Sequence, residues 1–439
     1  MSRLVFDIRR SLAVAATLLA GAWLGPVAGP SRTLADEPIV VEGTTMGTTY
    51  SVKFSVEAGS TWNAETTRAP IEEELESVNQ AMSTYRPESE VSRFNDSSST
   101  DWFDVSLATA TVVARAQEIS EASNGAFDVT VGPLVERWSF GPNRDIENVP
   151  SDEEIAALRE RVGYAQLEVR LDPPALRKSL PNLRIDLSAI AKGYAVDRVA
   201  LRLESLGIAN YLVEVGGEVR AKGKHPKNAL WSVGIRRPTA ALQALGVVEL
   251  GQRSLATSGD YENFYEVDGK RYSHTIDPST GRPVEHPLAS ASIIADDCMT
   301  ADALATAVGV MGFDKGSEVV RQFGGTLFVL EHDGQGLRER RDEAFVFTPI
   351  EAASGTGAPG GDGNGASLGG MILAGFIVFG IAIVGMAIGV MFGRKPISGS
   401  CGGLASLKGG VIPSACDTCG RKTRECSQLQ DELRRRENP

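Results

Sequence analysis

Carboxylates, a lysine and hydroxyls recur along this chain at spacings that suit phosphate and cation chemistry. In Asp186-Leu-Ser-Ala-Ile-Ala-Lys192-Gly193 a carboxylate ends an extended stretch, and a lysine follows one to two turns into a helix. Strand-to-helix junctions offer free backbone N–H groups and a positive dipole end to an anion. A surface Asp and Lys beside an ordinary cap would read the same way. Asp302-Ala-Leu-Ala-Thr306 sets a carboxylate and a hydroxyl four residues apart, on one face of a helix ending near Gly312. Both are hard oxygen ligands, and magnesium uses few protein oxygens when substrate phosphates complete its shell. An Asp that complements the dipole at a helix start is the competing view.

Two loops add to this set. Gly216-Gly217-Glu218 follows a strand, where paired glycines permit a close backbone approach or a tight turn. Thr257-Ser258-Gly259-Asp260 and Ser273-His274-Thr275-Ile276-Asp277-Pro278, then Thr280-Gly281, are dense in hydroxyls and carboxylates and hold one of four histidines. Loops carried by a rigid scaffold often hold function, although a capped turn with a satisfied histidine is the plainer reading.

The elements that must position these groups are of both kinds. Pro70 to Met82 (Ile71, Leu75, Val78, Met82) and Leu107 to Ala122 have helical apolar spacing. Arg184 to Leu187 reads as a short strand, with Ser188 capping a helix through Leu206 that Gly207 stops. Tyr211 to Val215, Trp231 to Ile235 and Ala289 to Ile294 read as further strands. The expected fold class is α+β, with mixed, mainly antiparallel sheets and packed helices, then one transmembrane helix and a short cysteine-rich tail.

Taken in order, the motifs are far more specific than any one of them. They are Met46-Gly-Thr, Met82-Ser-Thr-Tyr85-Arg-Pro, Ser92-Arg-Phe-Asn95, Gly125-Ala-Phe-Asp128-Val-Thr-Val-Gly132, Asp186 to Gly193, Gly216 to Glu218, Ser273 to Gly281 and Asp302 to Thr306. Together they resemble the ApbE-type FAD:protein FMN transferase family over roughly Pro38 to Glu351. The resemblance implies an exported, magnesium-dependent enzyme that moves FMN from FAD onto a threonine or serine hydroxyl of a target protein and releases AMP. It implies that Met46, Tyr85, Ala126, Phe127, Asp128, Asp186, Lys192 and Ile276 line the FAD site. Asp302, the Thr306 hydroxyl and the Ala189 carbonyl would hold magnesium. Some members carry a further aspartate just before the metal threonine; Ala305 stands there in this chain. Lys192 would add positive charge at the phosphates, Tyr85 would stack on a flavin or adenine ring, and His274 is the candidate base for the acceptor hydroxyl. A magnesium-dependent FAD pyrophosphatase, giving FMN and AMP, would use the same residues. So would a non-catalytic FAD-binding membrane protein.

Composition bounds the remainder. The chain has 439 residues, 23% of them charged, and a net charge of -12 with no basic cluster interleaved with aromatics, which argues against nucleic-acid binding. Arg3, Arg9 and Arg10 precede an apolar stretch from Leu12 to Leu24 and Thr33-Leu34-Ala35, so residues 1–35 read as an export signal. An uncleaved anchor would fit the same pattern. Cys298 is the only cysteine before residue 401, which rules out a disulfide framework in the body, 36–351. Residues 352–368 read as a flexible Gly-rich linker. The uncharged run within 369–393 reaches about 36 Å as a helix, enough for a hydrocarbon core of about 30 Å.

Residues 394–439 carry nine Lys/Arg against five Asp/Glu, so the tail is expected on the cytoplasmic side of a bacterial inner membrane and the body in the periplasm. Cys401, Cys416, Cys419 and Cys426 could bind iron or zinc, or stay free thiols. The run from Gly389 through Cys401-Gly-Gly-Leu resembles the NqrM-type maturation factor of the sodium-pumping NADH:quinone reductase, over Gly370 to about Gln428. That resemblance implies iron handling. It also implies one client for both halves, since that reductase receives phosphoester-linked FMN on its membrane subunits.

Overall fold

The computed structural model describes residues 37–350 apart from 58, 141–148, 239–243, 260–263, 268–269, 286 and 335. The expected export signal, Asp260, the linker, the apolar span and the tail with Cys401, Cys416, Cys419 and Cys426 lie outside the described residues. Among the described residues no helix is long and apolar enough to cross a membrane. The chain divides between Ala353 and Ser354, and the second unit holds none of the described residues.

One eight-stranded sheet organises the body. Its strands are β1 (Ile39–Thr45), β2 (Thr48–Ser55), β3 (Asn210–Val215), β4 (Glu218–Lys222), β5 (Ser254–Gly259), β6 (Leu288–Ala295), β7 (Thr326–His332) and β8 (Leu337–Arg341). They lie side by side in chain order, every pair antiparallel. Sequential neighbours need no crossover, so long segments can be inserted between strands without breaking the ladder.

Alternation of side chains explains why both faces are covered. On β3, Tyr211, Val213 and Val215 enter one core and Leu212 the other. The first core packs beneath helices α1 (Ala64–Met82), α2 (Leu107–Ala122), α3 (Ala191–Ser205) and α4 (Cys298–Gln322). The second packs beneath a small sheet of Ser232–Arg236, Ala244–Glu249 and Thr348–Pro349, with Trp231, Phe328, Phe345 and Phe347 filling it. All eight residues of β6 are buried, as a central strand covered on both faces requires.

Three expectations change. The first helix begins at Ala64 instead of Pro70, because Asn63 and Thr66 form a capping box and the chain continues helically through Pro70. Residues 184–187 are extended but join no sheet. Asn95 takes both backbone groups of Ile185, at 2.7 and 2.8 Å, and Val129 O takes the Asp186 N–H. Ser188 does not cap α3. Its N–H and hydroxyl both donate to Asp186 Oδ1, and the helix starts at Ala191 behind Ile190, which makes no side-chain cap bond. Gly312 does end a helical segment, at φ 75° and ψ 178°, and a second segment then runs on to Gln322.

Candidate active site

Two hairpin turns meet at one end of the sheet. Between β1 and β2 the turn is Met46-Gly47, with φ of 50° and 73°. Two-residue hairpins of this hand favour Asn-Gly, so a methionine there holds a strained backbone. Between β3 and β4 the turn is Gly216-Gly217, with φ of 62° and 104°. Gly216 N–H donates to Thr49 O at 3.0 Å. A β-carbon at Gly216 would lie 2.8 Å from Thr48 Cγ2 and 3.3 Å from Lys192 Cδ. The paired glycines thus serve both a tight turn and a close approach, and the lysine stem lies over them.

Lys192 is the second residue of α3, within its first turn and not beyond it. Its Nζ is 2.7 Å from Glu218 Oε1 and 4.0 Å from Asp302 Oδ1. Glu218 and Asp302 are almost fully buried, while 29% of the Lys192 side chain is exposed. Asp302 Oδ2 accepts Gly193 N–H at 2.9 Å. Glu218 Oε2 is buried without a hydrogen-bond partner. Two carboxylates therefore share one ammonium. Burial and the neighbouring Asp302 charge push Glu218 up to about 8, against the pull of Lys192. Burial also raises Asp302, against the pull of Lys192 and the Gly193 N–H. Burial opposes the Lys192 ammonium, but Asp302 and Glu218 more than offset it and hold it above the ordinary lysine range.

Helix α4 can reach this point because Gly193 has no side chain. A β-carbon there would fall 2.3 Å from Cys298 O and 2.8 Å from Asp302 Cβ. Gly193→Ala is expected to destabilise the protein by about 2–3 kcal/mol, because a backbone carbonyl cannot swing aside and the helices must part. Denaturant unfolding measures this; a loss below about 0.5 kcal/mol would mean the crossing is looser than described.

The residues present fit a divalent cation. With both carboxylates ionised the buried group would carry one negative charge more than its lysine neutralises, which a bound cation would balance, and an orphaned carboxylate oxygen sits within it. Gly193 N–H, one of the first-turn donors of α3 that has no partner within the helix, goes to Asp302, and Ala189 lies directly before the Ile190 cap at this helix start. Thr306, one turn past Asp302 on α4, is partly exposed between buried neighbours. Ala305 is buried, and among the described residues no three His, Cys, Asp or Glu side chains cluster. One carboxylate, one hydroxyl and one carbonyl form a sparse oxygen set of the kind magnesium shares with phosphates.

Further along α4, Gly309 continues the face of Asp302 and Thr306. A β-carbon there would lie 3.7 Å from Thr275 Cγ2 and 3.8 Å from Ser258 Oγ, so the Thr257 and Ser273 segments meet the Asp302–Thr306 helix on one face. His274, next to Thr275, meets the Phe140 ring edge-on at 6.3 Å between centroids.

The remaining expected FAD residues divide into two kinds. Tyr85 is 59% exposed, on a turn pinned by Ser83 and by Ser89, whose hydroxyl donates to Ser83 O. Ala126 and Asp186 are partly exposed. Phe127 belongs to the first core. Ile276 is buried with Leu134, Trp138 and Ile155, so its contact with any ligand would be through its backbone. Asp128 is buried, and both its oxygens are taken by Thr130 and by Tyr164 N–H; burial raises its carboxyl despite these bonds. Its place is to build the loop.

Residues 46–330 match the ApbE family, and residues 390–439 match the (Na+)-NQR maturation NqrM family. The chain is 42% identical over 310 residues to an FAD:protein FMN transferase of Vibrio cholerae, covering 70% of this chain and 92% of the relative. It is 39% identical over 312 residues to an FAD:protein FMN transferase of Escherichia coli, covering 70% and 88%. A solved structure of the flavin transferase ApbE from Vibrio cholerae superposes with a TM-score of 0.65 at 42% identity, over 70% of this chain and 98% of that one. The apo form of the Pseudomonas stutzeri flavinyl transferase ApbE gives 0.64 at 38% identity, over 70% and 96%.

Proposed function

Because the chain belongs to the ApbE family of flavin transferases, we propose that its body transfers FMN from FAD to a threonine or serine hydroxyl of a target protein. The observation that carries this reading is the Lys192–Glu218–Asp302 group, in which two buried carboxylates share one ammonium at the start of α3, set where two hairpin turns meet. The acceptor oxygen attacks the FMN-side phosphorus, the bond to the bridging oxygen breaks, and AMP leaves. His274 takes the hydroxyl proton. Lys192, held charged by its two carboxylates, faces the pyrophosphate and keeps its place through Glu218. Asp302, the Thr306 hydroxyl and the Ala189 carbonyl would hold magnesium, which would supply positive charge to the phosphates.

Tyr85 stacks on a ring of FAD in this reading. Tyr85→Ala should leave unfolding unchanged, since the ring is exposed, while the KM for FAD rises about 2–10-fold. Steady-state kinetics with varied FAD tests this, and an unchanged KM would remove Tyr85 from the site.

The client is the sodium-pumping NADH:quinone reductase. The N-terminal signal, the apolar span at 369–393 and the basic tail support a periplasmic body anchored by one helix, with the tail in the cytoplasm. The match of residues 390–439 to a maturation factor of that reductase supports a paired role, its cysteines handling iron. Purifying the reductase from cells with and without this chain tests the assignment. Its linked FMN should disappear when the chain is absent; a fully flavinylated reductase would contradict the reading.

A further inference from the structure

The three elements that form the site are joined a second time, further along α3 and β4. Asp197 lies five residues past Lys192 on α3 and is buried. Its Oδ1 accepts Cys298 N–H at 3.0 Å and its Oδ2 accepts Met299 N–H at 2.9 Å, the first two donors of α4. Arg220, two residues past Glu218 and so on the same face of β4, closes an ion pair with Asp197. Strand and helix are thus linked by two ion pairs of opposite polarity, Lys192–Glu218 and Asp197–Arg220.

Helix α4 already has a cap of its own. Asp297 accepts Thr300 N–H at 2.8 Å and the Thr300 hydroxyl at 2.9 Å. Capping therefore does not require Asp197, which adds a contact between helices. Asp302 follows Cys298 by one turn, so any slide of the α4 start along α3 moves the carboxylate away from Gly193 N–H and Lys192.

We infer that Asp197 is a positioning residue for Asp302, fixing the register of α4 on α3 and, on the reading that Asp302 holds magnesium, setting the metal affinity. Arg220 acts through Asp197 by holding its carboxylate in place.

The test uses the full-length chain and two readouts: FAD affinity without metal, from flavin fluorescence, and magnesium affinity of the FAD complex, from calorimetry. Asp197→Asn should weaken magnesium about 10–100-fold while FAD affinity stays within about twofold. Asp197→Glu, which keeps the ion pair but displaces the carboxylate, should show the same selective loss and carries the test if Asp197→Asn does not fold. The exchange D197R/R220D should not restore magnesium, because an arginine cannot accept two N–H groups. Unchanged magnesium affinity in a folded variant would overturn the inference. So would a parallel loss of FAD, unfolding of both single variants, or rescue by the exchange. Absence of magnesium binding by the native chain would overturn the reading of the site, and this inference with it.

Discussion

Asp302→Asn is expected to slow flavin transfer about a thousandfold while the protein unfolds at the same temperature or higher. The amide keeps an oxygen for Gly193 N–H, so the helix crossing survives. It loses the charge that would face magnesium, and removing one preorganised electrostatic contact costs about 10²–10³ in rate. A thousandfold corresponds to about 4 kcal/mol of transition-state stabilisation. The stability forecast follows from burial, which raises the Asp302 carboxyl: the native site holds an ionised group at a cost, and the amide removes it. Rates of linked-flavin formation and thermal unfolding, measured on the same preparation, check both halves. More than about a tenth of native activity would exclude Asp302 from the metal site.

The second large effect is in stability against pH. Glu218 is pushed up to about 8 in the folded protein from an ordinary value of 4.5. Below 4.5 the carboxyl is protonated in both states and contributes no pH dependence. Between 4.5 and 8 the folded state binds more protons than the unfolded one, so stability falls as pH rises. The metal-free chain should lose about 3–5 kcal/mol across that window, since each pKa unit is worth about 1.4 kcal/mol. Lys192 acts later. Its raised value gives stability that is present below the unfolded lysine pKa and lost only as pH passes the folded one, in strong alkali. Glu218→Gln should remove most of the slope between pH 5 and 8. Denaturant unfolding at several pH values with chelator present measures it, and a native profile that is flat would mean the buried group is already charge-balanced.

The reach of the sequence depended on where each signal lay. Apolar spacing at Ile71, Leu75, Val78 and Met82 identified a helix, because burial of one face leaves a periodic mark; all four are buried. The start was misplaced, because Pro70 reads as a boundary while the true cap is Asn63. Residues 184–187 have the composition of a strand, yet their partner is the Asn95 side chain, ninety residues away, which no local pattern records. Glu218 stood in the quoted motif without a role, since only the meeting of β4, α3 and α4 makes it the partner of Lys192. Its one local signal was a carboxylate directly after paired glycines. Asp197 carried less still: a polar residue on an otherwise buried helix face. That the Ser258 and Thr275 loops meet α4 at Gly309 left no local mark either, because those residues come from three separate segments.

Flavin transfer itself is the most direct test. The full chain is incubated with FAD, magnesium and a candidate acceptor domain, and the acceptor is then denatured and separated. The account predicts that flavin fluorescence stays with the acceptor, about one per molecule, with AMP released in equal amount. Free FMN in solution with no labelled acceptor, or FAD left intact, would contradict it.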